Sequence, residues 1–160
     1  MKKKSPYPFK ELSPEMQDAV RKGVYCPHCG QFAKAYCRPM GSQIAKFLIR
    51  LLRAHKLYGD DRFFTSRELY PKDNKSATDG VLARHWGLIE VADATNTMGA
   101  PAGAYKLTDK GRRFVQGVEY IASHAIIYNN ELLKLDGRKL IDIRDAIGKK
   151  GNYDELMREV

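Results

Sequence analysis

The most regular apolar pattern in the chain begins at Ser42. Ile44, Phe47, Leu48, Leu51 and Leu52 recur at steps of three and four, which predicts an amphipathic helix to about Lys56 with Ser42 as its cap. Lys46, Arg50 and Arg53 follow similar steps on another side of the cylinder and form a basic stripe. Thr65-Ser-Arg-Glu68 matches a capping box, so a second, short helix should start there and stop before Pro71. A third helix is predicted from about Ser76 to Trp86, closed by Gly87. On an α-helical wheel it turns Val81, Leu82, His85 and Trp86 inward, and Ser76, Asp79, Gly80, Ala83 and Arg84 outward. Leu88–Val91 and Ala104–Leu107 read as strands around a loop with Gly99, Pro101 and Gly103, and Thr108 caps a helix through Val115.

The flanks are less periodic. Ser13-Pro14-Glu15-Met16 has the order of a helix start, with Ser at the cap and Pro at the first helical position; that helix should reach Lys22 and end at Gly23. Residues 118–136 alternate loosely, with Asn129-Asn130 as the turn of a hairpin whose strands run about six residues. Asp136-Gly137 reads as a second turn, and Asp142 as the cap of a short helix with Ile143 and Ile147 on one side and Gly148 at its end. A last helix is expected over Tyr153–Glu159. Four segments result: 1–22, 23–41, 42–117 and 118–160. The last either packs on the third or forms a homodimer surface.

The order helix, helix, helix, strand, loop, strand, helix resembles a winged helix. Trp86-Gly-Leu-Ile-Glu90 resembles the helix end and strand entry of MarR- and PadR-type regulators, and Tyr105-Lys-Leu-Thr-Asp-Lys-Gly111 resembles their exit from the wing. The resemblance covers residues 42–117 and implies a third helix that enters the DNA major groove beside a wing on backbone or minor groove. Arg84 is the strong donor on the outward face of that helix, and no Arg or Lys lies between Glu90 and Ala104. The expected fold class is α+β: a winged helix with an N-terminal zinc-knuckle-like segment and a C-terminal β-hairpin plus short helices.

Charge adds a direction to this picture. Residues 1–57 carry 12 Lys/Arg against Glu11, Glu15 and Asp18, while residues 58–160 carry 16 of each sign, so the net +9 of the chain sits in its first third. A concentrated positive field attracts polyanions, nucleic acid first among them. The residues expected to grip phosphate are Lys2, Lys3 and Lys4, the Lys46, Arg50 and Arg53 stripe, Lys75 and Arg84, with Lys34 and Arg38 nearby. The reading is a DNA-binding regulator or accessory protein. The alternative is a protein-interaction module whose winged helix docks on an acidic partner such as transcription machinery.

Cys26-Pro-His-Cys29-Gly30 closely resembles the first half of a zinc ribbon, and Cys37-Arg-Pro-Met40 would be the second half, with Met40 where a cysteine is expected. A thioether is a poor zinc ligand. Cys26, Cys29 and Cys37 therefore bind a structural zinc with His55 or His85 as the fourth ligand, or with His28, or the turn is kept and the metal lost. Three cysteines confined to residues 26–37 argue for metal or reduced thiols and a cytoplasmic setting rather than disulfides. Walker, GxSxG, GxGxxG and HExxH patterns are absent, so no enzyme is expected. No run of 18 apolar residues occurs and the Met1-Lys-Lys-Lys start lacks a signal peptide's apolar stretch, so neither membrane insertion nor secretion is expected.

Overall fold

A computed structural model describes residues 10, 12–25, 30, 32–72, 80–92, 103–128, 131–149 and 151–158. The chain is α+β. Helix α1 (Pro14–Lys22) starts as predicted: the Ser13 hydroxyl accepts from Met16 N–H, Pro14 opens the helix and Gly23 ends it. Strands β1 (Val24–Tyr25) and β2 (Phe32–Ala33) form a two-stranded antiparallel pair, with Val24 opposite Ala33 and Tyr25 opposite Phe32. β3 (Tyr36–Pro39) then leaves that pair for a different sheet.

Helix α2 (Ser42–Tyr58) is the central rod. Ile44, Phe47, Leu48, Leu51 and Leu52 are all buried, as their spacing predicts. Each such side chain contributes roughly 1.5–3 kcal/mol by leaving water. The cap differs from expectation: Gly41 occupies that position without a side-chain bond, and Ser42 is already helical. α3 (Ser66–Leu69) carries the predicted reciprocal capping box between Thr65 and Glu68.

The predicted third α-helix needs correction. Its described part, Gly80–Trp86, is a 3-10 helix, and residues 73–79 lie outside the described residues, Ser76 and Asp79 among them. Three residues per turn place Gly80, Ala83 and Trp86 on one face, and all three are buried. Gly80 and Ala83 thus point inward, opposite to the α-helical wheel. Gly80 lies so close to the Phe47 ring that a Cβ there would overlap it. Trp86 is core, as expected, and its indole N–H donates to Ala122 O at 2.8 Å. Val81 and Leu82, expected inward, are half-buried.

β4 (Ile89–Val91) and β5 (Tyr105–Leu107) pair antiparallel, and α4 (Asp109–Val115) follows, capped by Thr108. The junction is tight. Thr108 Oγ1 accepts from Gly111 N–H at 3.0 Å and its hydroxyl donates to Gly87 O at 2.6 Å. Gly111 packs on the Leu88 carbonyl with no room for a Cβ.

β6 (Ile121–Tyr128) and β7 (Glu131–Ile141) form the C-terminal hairpin, and β3 adds on the other side of β6 to give the order β3-β6-β7. These strands exceed the six residues expected, because Asp136-Gly137 does not end the strand. His124 faces Asp136 while Ala122 faces Leu140, so residues 137–139 bulge opposite Ser123 and β7 continues. The Asp136 carboxylate binds the Arg138 guanidinium at 2.7 Å, and Arg138 holds it down to about 2. α5 (Ile143–Ile147) has the predicted Asp142 cap and ends at Gly148. α6 (Tyr153–Arg158) closes the described chain.

One apolar core runs from Met40 to Ile147: α2, the 3-10 helix and α4 share it with Ile121, Ala125, Ile141 and Ile143 of the C-terminal segment. That segment packs on the helices. A smaller cluster of Val20, Ala35 and Tyr128 fastens α1 to the sheet. Among the described residues, no helix is long and apolar enough to cross a membrane.

Candidate nucleic-acid interface

The cations differ sharply in their surroundings along the chain. Beyond residue 58 six of them form ion pairs: Arg62–Glu68, Lys106–Asp61, Arg112–Asp60, Arg113–Glu119, Arg138–Asp136 and Arg144–Asp154. In the first third, Arg21 pairs with Asp18, but Lys22, Lys34, Arg38, Lys46 and Lys56 meet no acid among the described residues. The sequence explains this, since no Asp or Glu occurs between Asp18 and Asp60.

The predicted stripe on α2 is only partly available. Arg50 donates to Leu69 O at 3.0 Å and lies 4.3 Å from the Tyr70 ring, so its guanidinium ties α2 to α3. Lys46 is half-buried and Arg53 exposed. Arg84 is exposed on the 3-10 helix, as the wheel predicts. Lys2, Lys3, Lys4 and Lys75 lie outside the described residues. A cleft of about 620 Å³ between α1 and the β6–β7 hairpin, lined in part by Lys10, Arg21, Lys134 and Glu131, adds a further cationic hollow.

The sharpest local feature is one that sequence reasoning missed. Phe32, Lys34, Tyr36 and Arg38 occupy every second position and all are exposed, whereas Ala35 between them is buried against Val20 and Tyr128. The Tyr25 ring meets the Phe32 ring edge-on at 5.3 Å. Phe32 lies over Gly23, where a Cβ would come within 2.7 Å of the ring and 3.4 Å of the Lys34 stem. Lys34 Nζ and the Arg38 guanidinium lie 5.9 and 5.4 Å from the Tyr36 ring. Ring, ring, cation, ring and cation thus form one continuous exposed strip. The legible signal was the alternation of aromatic and basic residues with period two.

Cys26 and Cys29 lie outside the described residues, in the connection between β1 and β2. Cys37 is a free, exposed thiol on β3, opposite Ile126. Among the described residues no cluster of three or more His, Cys, Asp or Glu side chains is disposed to hold a metal. His55 is removed from the ligand set. It is buried, Nδ1 lies 3.0 Å from Gly59 O, and Nε2 accepts from Leu107 N–H at 3.1 Å, so both ring nitrogens are used within the core. Burial pushes its pKa below the ordinary 6.5. His85 is also buried, with its pKa lowered by desolvation and then by Arg84, and its Nε2 meets no partner.

No protein-family model, curated protein or solved structure matches the chain. Its own residues carry the functional reading.

Proposed function

We propose that this protein binds nucleic acid, DNA foremost, by gripping phosphates through its first third, and that it serves as a non-enzymatic cytoplasmic regulator or accessory factor. The observation that carries the reading is the set of exposed cations Lys22, Lys34, Arg38 and Lys56, which meet no acid among the described residues. Neutralising phosphates releases condensed counterions, which gives affinity without sequence preference. The winged-helix reading of residues 42–117 is part of the proposal. It draws support from the antiparallel β4–β5 pair directly after the 3-10 helix and from exposed Arg84 on that helix. A structural zinc on Cys26, Cys29 and Cys37 belongs to the same reading. The antiparallel β1–β2 pair brackets the connection that holds Cys26 and Cys29.

Titration of a labelled random duplex across salt tests the main claim. Four engaged cations predict a log–log slope of about −3.6, or more than ~100-fold weakening between about 50 and 200 mM salt. A flat curve, or no binding at low salt, turns the reading toward a module that docks on an acidic protein partner. Elemental analysis tests the metal: near-stoichiometric zinc is expected, and less than ~0.2 per chain defeats a structural site, because such sites bind tightly.

A further inference from the structure

We propose that the strip Tyr25, Phe32, Lys34, Tyr36 and Arg38 is a stacking platform for single-stranded nucleic acid. This rests on the nucleic-acid reading and narrows its substrate.

The rings stand in water at a cost. Tyr25, Phe32 and Tyr36 are 71%, 52% and 43% exposed, although Val24 and Ala35 beside them in the chain belong to or pack on the smaller core. Ala35 is buried while Lys34 and Tyr36 on either side are exposed, and the Ala35 N–H donates to Val20 O at 2.9 Å, so the strip is anchored. Gly23, at φ 96°, supplies both the turn after α1 and the flat seat on which Phe32 rests.

Charge selects the occupant. A cation stands beside the Tyr36 ring on either side in sequence, and no carboxylate occurs from residue 19 to residue 59. Exposed apolar rings alone would suit many partners. Rings interleaved with unpaired cations suit a chain that repeats a flat π-face and a negative charge, which is a polynucleotide. In a duplex each base face is already covered by its neighbours. Only an unstacked strand can offer bases to these rings while its phosphates reach Lys34 and Arg38.

The test uses the full chain and labelled oligothymidylate, oligouridylate and a duplex, each ~12 nucleotides long, within the usual span of such sites. Fluorescence anisotropy at one salt concentration should show a single strand binding at least ~10-fold tighter than the duplex, and the two single-stranded arms show whether deoxyribose or ribose is preferred. Tyr36→Ala and Phe32→Ala should each weaken single-strand binding by roughly 10-fold, with Tyr36→Phe close to the parent. Lys34→Ala should reduce the single-strand salt slope by about 0.7. These side chains are exposed, so circular dichroism and Tm should be unchanged. Equal affinity for duplex and single strand, together with no effect of Tyr36→Ala, overturns the platform and leaves phosphate binding standing. No binding of any arm at low salt overturns both.

Discussion

The β4–β5 hairpin and the β2–β3 strip are both short antiparallel segments, yet they spend their side chains in opposite ways. Around β4–β5 the side chains serve the fold. Leu107 is buried and its N–H bonds to His55, the Tyr105 ring meets the Phe47 ring at 5.3 Å, and Lys106 is paired with Asp61. Along β2–β3 the outward residues leave the core unaided and stay in water. The β4–β5 pair therefore acts first as a clasp: Thr108 and Gly111 join it to the end of the 3-10 helix.

The contrast can be broken most forcefully at Gly111. A methyl there meets the Leu88 carbonyl, so Gly111→Ala should cost about 3 kcal/mol and lower Tm by on the order of 10 °C, despite the better helix propensity of alanine. Tyr36→Ala on the strip should leave Tm where it was. Similar thermal shifts for both variants would erase the distinction between clasp and open surface.

A smaller effect concerns acid. The core fixes His55 in one neutral tautomer, donating from Nδ1 to Gly59 O and accepting at Nε2 from Leu107 N–H. A histidine pKa lowered by folding means that the unfolded chain binds the proton more readily. The stabilisation is complete above the ordinary 6.5 and is lost as pH falls through and below that value. Urea unfolding should show stability declining from about pH 7 to pH 5, and His55→Gln should flatten that decline while lowering stability by about 1–2 kcal/mol at neutral pH. His85, shifted in the same direction, keeps part of the slope. An unchanged slope in the variant would remove His55 as its source.

Much of the architecture was legible where the chemistry is local. Ser13 with Pro14, Thr65 with Glu68, Thr108, and Asp142 with Asp145 each satisfy nearby amides, so sequence spacing alone locates those helix starts. Failures occurred where a distant partner decides. Gly80 and Ala83 turn inward because the segment winds as a 3-10 helix against Phe47. Asp136-Gly137 reads as a turn by composition, but pairing with β6 carries the strand onward. The candidate site divides similarly. Net charge identified the basic third, but Leu69 O and Tyr70 claim Arg50, and Gly59 and Leu107 claim His55. Apart from Gly59, four residues after His55, those partners lie far away in the chain. The aromatic strip could have been read from its alternation, although exposure of Phe32 and Tyr36 required knowing that Ala35 takes the inward place.

The three-stranded sheet ends in two poor templates. β3 spans four residues and finishes at Pro39, which has no N–H to give, while β7 is interrupted by its bulge at Gly137–Lys139, where Arg138 and Lys139 are exposed. Neither border presents a long flat row of amides and carbonyls to a neighbouring molecule. At the borders of this sheet, a neighbouring copy thus finds little backbone on which to add a strand.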